Sequence, residues 1–169
     1  MKSTMDYPSG FTLIEILIVL TVIGLIGVFS AIAIGTARSE QRDAVRLAHI
    51  RELQSVLEDH FVETNTYPQG NNLVLGSDSA GCLSVSGFQP SCSSDTEGLL
   101  MRRVPATIVG GLQGLVTCGD TSKAYCYQQQ EEGNNYTIEF EIENDWPLSG
   151  LKEGVNCASS EGIRLGSCQ

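Results

Sequence analysis

No proline falls between Pro8 and Pro68, and from Phe11 to Ala37 a single residue, Glu15, carries a charge. The first absence leaves room for one very long helix, because proline would remove a backbone donor and clash with the preceding turn. The second leaves room for a membrane segment. The apolar run from Phe11 through Phe29, Ile32 and Ile34 to Gly35 is long enough to cross a hydrocarbon core of about 30 Å. A carboxylate in such a run costs roughly 2.5 to 3.5 kcal/mol near the bilayer centre and less near an end, so it calls for a partner. Glu15 is therefore the first functional candidate, with snorkelling to the interface as the plainer alternative.

Basic residues are scarce as well: 10 Lys and Arg stand against 20 Asp and Glu, a net charge of -10. That balance argues against nonspecific nucleic-acid binding, which needs a basic footprint. Only two histidines exist, His49 and His60, three turns apart on one helical pattern and too distant to share a metal or a nucleophile. The Gly76-Ser77-Asp78-Ser79-Ala80-Gly81 run superficially matches a serine-hydrolase loop, but neither histidine has a triad context. No catalytic residues are assigned, and the chain reads as structural rather than as an enzyme.

Cysteine is present without any Cys-x-x-Cys pair, which weighs against a zinc ribbon or a thioredoxin-like site. All six, Cys82, Cys92, Cys118, Cys126, Cys157 and Cys168, follow the apolar run, and their even number fits disulfides in an oxidising compartment. Fifteen connectivities are open, of which Cys82 to Cys92, Cys118 to Cys126 and Cys157 to Cys168 is the simplest.

Beyond Gly35 the helical pattern continues in amphipathic form. Leu47, Ile50, Leu53, Leu57 and Phe61 recur on one face, while Arg42, Arg46, Glu52, Asp59 and Glu63 fall largely elsewhere. Asn65 and Tyr67-Pro68 end it, since the residue before proline is pushed out of helical geometry. Arg38, Arg42 and Arg46 repeat every four residues, either to meet acidic groups of adjacent subunits or as a solvated face with local partners such as Glu40 and Asp43.

Residues 70–98, rich in Gly, Ser and Asn, read as a surface connection with at most short strands such as Cys82 to Val85. Strands are expected at Ala106 to Val109, Leu112 to Cys118, Lys123 to Gln129 and Tyr136 to Glu143, with Glu131 to Asn135 as a hairpin turn. In the last strand Tyr136, Ile138, Phe140 and Ile142 alternate with Thr137, Glu139, Glu141 and Glu143, one buried face and one acidic. Leu148 to Gln169 lacks strong periodicity, apart from a short strand at Ile163 to Leu165.

The stretch Gly10-Phe11-Thr12-Leu13-Ile14-Glu15 resembles the processing site of bacterial type IV pilins and their pseudopilin relatives, in which a membrane peptidase cuts after the glycine. The resemblance implies an α+β fold, a long N-terminal helix packed on a small antiparallel sheet. It divides the chain into a leader (1–10), a membrane and filament-core segment (11–35), an amphipathic helix (36–66) and a disulfide-containing β-rich head (67–169). It further implies Phe11 as an N-methylated mature terminus whose amine meets Glu15 of a neighbouring subunit. The implied partners are further copies of the chain, the peptidase/methyltransferase, the pilus or secretion assembly machinery and the membrane. The chain would lie in the cytoplasmic membrane, N-terminus inside, before entering an extracellular filament or periplasmic pseudopilus.

Two features depart from the family pattern: the leader carries only Lys2, offset by Asp6, and the first helix has no proline. The readings left beside a pilus subunit are a secretion pseudopilin, a monomeric membrane-anchored binding domain, and a chain cleaved by signal peptidase around Ser30 to Ala33. Pseudopilins direct attention to calcium, for which Glu139, Glu141, Glu143 and Asp145 are the candidate ligands. Calcium needs about six to eight oxygens converging from several loops, which one alternating strand does not supply. These side chains are expected to be solvated, and no cofactor is expected.

Overall fold

The computed structural model describes residues 10–168, so most of the expected leader lies outside the described residues. The chain divides into two compact units, Met1–Arg38 and Ser39–Gln169. Among the described residues the architecture is α+β: one α-helix, α1 (Leu13–Thr64), two single-turn 3-10 helices and ten short strands. In chain order these are β1 (Leu73–Val74), β2 (Cys82–Ser84), β3 (Gly87–Gln89), β4 (Leu99–Met101), β5 (Thr117–Cys118), β6 (Thr121–Ser122), β7 (Cys126–Gln130), β8 (Asn135–Ile142), β9 (Gly154–Ser159) and β10 (Gly162–Leu165).

Helix α1 runs 52 residues, roughly 78 Å at 1.5 Å per residue. It stops at Asn65, whose φ of 57° is left-handed and whose N–H closes on the Phe61 carbonyl at 2.7 Å. Asparagine tolerates that conformation better than most residues, so the stop is local chemistry. In the first unit the large apolar side chains from Phe11 to Ile34 that are described are exposed. In the second, Leu47, Ile50, Leu53 and Leu57 are buried and Phe61 packs at the edge of the same core.

The sheet that receives this stripe has the order β1-β7-β8-β9-β10, antiparallel throughout. Tyr136, Ile138, Phe140 and Ile142 of β8 are buried as their alternation requires, joined by Tyr125 and Tyr127. The β7–β8 hairpin turns through Glu131, Glu132 and Gly133, all at positive φ.

The other face of the sheet is covered too. Cys126 and Cys157 both pair with Glu139 in register, and directly opposed residues share a face. Disulfides join Cys118 to Cys126 and Cys157 to Cys168, drawing residues 112–118 and the C-terminal tail over that face. The third disulfide, Cys82–Cys92, braces a three-stranded sheet of order β3-β2-β4. All three are the local pairs.

Several strand expectations need correction. The 70–98 region is more ordered than its composition suggests, with Cys82, Leu83 and Ser84 fully buried. Residues 106–109 form no strand, and of 112–118 only Thr117–Cys118 pairs, with β6. Side chains take the backbone groups that a ladder would have used: Arg46 holds the carbonyls of Ile108 and Gly110, and Glu141 holds the N–H groups of residues 113–115. Conversely β9, an inner strand of the sheet, comes from the tail expected to lack periodicity. Its Gly-Val-Asn-Cys-Ala-Ser sequence has little β-propensity, and pairing on both edges decides its state.

Candidate functional site

The segment that carries the family resemblance begins α1. Thr12 is its N-cap: the Glu15 N–H donates to Thr12 Oγ1 at 3.3 Å, and the Thr12 N–H donates to Glu15 Oε2 at 3.5 Å. This reciprocal pair is a capping box, satisfying two of the four amides that a helix start leaves open. The signal was in the sequence as Thr-x-x-Glu, and the reading of Glu15 as an isolated membrane charge passed over it. Its carboxylate is also well placed for the positive end of the helix dipole.

Phe11 is 80% exposed and Leu13 83%. Hydroxyls farther along are satisfied within the helix: Thr21 donates to the Leu17 carbonyl at 2.7 Å and Ser30 to that of Ile26 at 2.8 Å. Glu15 is the charged side chain of this segment, and its carboxylate accepts the Thr12 N–H. Gly10, Phe11 and Glu15 lie together at the helix start by sequence adjacency.

In the second unit the main electrostatic feature is a buried cluster. Arg46 is fully buried, and its Nη1 lies 2.7 Å from Asp43 Oδ1 and 2.6 Å from Glu143 Oε1. Its Nε and Nη2 donate to the Ile108 carbonyl at 3.0 and 2.6 Å, and Nη2 also to that of Gly110. Asp43 accepts the backbone N–H groups of Glu143 and Asn144 and, at 2.7 Å, the Asn144 amide. Arg42 adds a second cation on Glu143. Two positive and two negative groups cancel, and the hydrogen bonds replace lost water, which is what a buried ion cluster requires.

The Arg42 hydrogen bond, helped by Arg46, holds the Glu143 carboxyl below the usual carboxylate range, and Glu143 in return raises Arg42. Gly111, at φ 79°, passes so close to the Glu143 carboxylate that a Cβ would collide with it. Arg46 had been expected outside the buried stripe. It belongs to it, with Asp43 as the local partner but in the interior rather than in water. Every donor of Arg46 is engaged, so the chemistry of the cluster is anchoring: it ties α1 to the end of β8 and to the 108–111 loop.

Of the candidate calcium ligands Asp145 is exposed, whereas Glu139, Glu141 and Glu143 are partly or fully buried rather than the solvated row expected. Glu141 is 2% exposed and accepts the N–H groups of Gln113, Gly114 and Leu115. Glu139 accepts the Cys168 N–H at 2.7 Å, Glu143 sits in the arginine cluster, and Asp145 takes the Glu153 N–H at 2.9 Å. Loops supply the backbone donors and α1 supplies the arginines, which the strand pattern could not reveal. Among the described residues no group of three or more His, Cys, Asp or Glu side chains is placed to hold a metal ion.

The histidines are packing residues. His60 is buried, with Nδ1 donating to the Thr66 carbonyl at 2.8 Å, and His49 meets Tyr125 edge-on, its pKa lowered by burial. Tyr67 stacks on Phe61 and donates to Glu58, and burial followed by that carboxylate pushes its hydroxyl up to about 12. Comparisons of this chain with protein-family models, with curated proteins and with solved structures gave no match.

Proposed function

We propose that this chain is a structural subunit of a type IV pilin-like filament, released from a leader at Gly10-Phe11 and assembled from the membrane. One observation carries the reading: a segment from Phe11 to Ile34, helical from Leu13, whose described large apolar side chains are exposed, with one acid at its start. Exposed apolar area of that extent is stable only under lipid or protein. Lipid covers it before assembly, and copies of the same segment cover it in the filament, so membrane residence and polymerisation follow from one surface.

Glu15 then has a task beyond its cap. Cleavage at Gly10-Phe11 creates an ammonium at the helix start, and a carboxylate in low dielectric attracts such a group strongly. The incoming subunit is thereby held at a fixed axial step. The 39–169 unit, stapled by three disulfides, forms the outer surface.

Mass spectrometry of the mature N-terminus together with electron microscopy of sheared cell-surface material tests this. Methylated Phe11 and fibres containing the chain are expected. An intact Met1, or a terminus near Ala31, would overturn the proposal in favour of a membrane-anchored or signal-cleaved domain.

A further inference from the structure

Arg102 and Arg103 form the chain's only adjacent pair of basic residues, in a sequence with twice as many acids as bases. Both are exposed, and both line a cleft shared with Ser77, Asp78 and Ser91. Among the described residues neither guanidinium has an ion-pair or hydrogen-bond partner. Yet the backbone under them is pinned on both sides. Met101 before them and Val104 after them are buried, the Val104 N–H donates to the Gly81 carbonyl at 2.9 Å, and Cys82–Cys92 braces the opposite wall. Two unpaired cations are thus presented from a fixed turn.

A second surface has the opposite character. Glu52, Asp59 and Glu63 are exposed on α1. At 100° per residue they fall within about 40° of one another in a row about 17 Å long, roughly 120° round the helix from the buried stripe of Leu53 and Leu57. No Lys or Arg stands three or four residues from any of them. Asp59 and Glu63 are themselves a like-charged i,i+4 pair, an arrangement that destabilises a helix and here has no helical cation to relieve it. Arg51 lies about 100° away, in the row of Glu58.

We propose that Arg102 and Arg103 of one copy dock on the Glu52, Asp59 and Glu63 row of the next. The inference rests on the filament reading above and names the contact between outer units. In this contact each copy offers one patch forward and one back, a heterologous arrangement. Such a contact does not close by a two-fold axis and repeats into an open helical array, which a filament requires.

The test is a charge exchange in the full-length chain, expressed in its own host and scored by filament yield. Arg102→Glu with Arg103→Glu should reduce yield about tenfold, as should Glu52→Arg with Asp59→Arg and Glu63→Arg, while membrane levels and disulfides stay unchanged. Combining the two sets should restore filaments. The milder Arg102→Gln with Arg103→Gln should give an intermediate loss. Wild-type yield from either reversed set, or no recovery in the combined chain, would overturn the contact and leave the filament reading standing. A wild-type chain that forms no filament would overturn both.

Discussion

Arg46 Nη1 lies 2.6 Å from Glu143 Oε1 across 97 residues of sequence, in a site where the arginine side chain is fully buried. The pair joins the start of the amphipathic half of α1 to the end of β8. Its energetic meaning is asymmetric: an intact buried cluster adds little net stability, whereas a broken one leaves charge without solvent.

Replacing Arg46 by Met should therefore cost about 3 to 5 kcal/mol, measured by denaturant unfolding of the disulfide-intact protein. The triple change Asp43→Asn, Arg46→Met, Glu143→Gln should cost less than Arg46→Met alone, because no carboxylate is left stranded. A triple variant less stable than the single one would contradict this account.

Stability should fall with acid in two windows. Burial lowers the folded pKa of His49 below its unfolded value of about 6.5, so the unfolded chain binds more protons and stability drops as pH falls through that range. Glu143 is held low foremost by Arg42, so its contribution is present above about 4.3 and is lost as pH falls through its depressed folded value. Glu143→Gln should flatten the lower window and leave the upper one, as thermal melts across pH would reveal.

Glu141 holds three consecutive backbone N–H groups of a segment with no strand partner there. Glu141→Gln should destabilise the protein by about 1 to 3 kcal/mol and speed hydrogen exchange at Gln113, Gly114 and Leu115 more than at β8. Uniform protection across both regions would show that the loop does not depend on this carboxylate.

The two roles of Glu15 can be separated. Glutamine serves as the N3 residue of a capping box and valine does not, but neither carries charge. Both variants should insert in the membrane at least as well as the native chain, valine weakening the helix start by about 0.5 to 2 kcal/mol. If the charge recruits the incoming amine, both should lose most filament yield. Normal filaments from Glu15→Gln would reduce Glu15 to a cap.

What the sequence determined by itself is what short-range chemistry decides. The unbroken helix follows from fifty-nine residues without proline, its stop from Asn65 and Pro68, the buried stripe from 3.6-residue spacing, and β8 from strict alternation. The Thr12 cap was legible in the same way, as Thr-x-x-Glu, but missed. Only the tertiary structure decided that Arg46 and Asp43 turn inward, that Glu139, Glu141 and Glu143 find amides and arginines instead of water, that 112–116 gives up a strand and that β9 becomes one. In each case the deciding group lies far away in sequence. A buried charge or a backbone donor takes its state from whatever partner folding brings within 3 Å, and no local pattern encodes that partner.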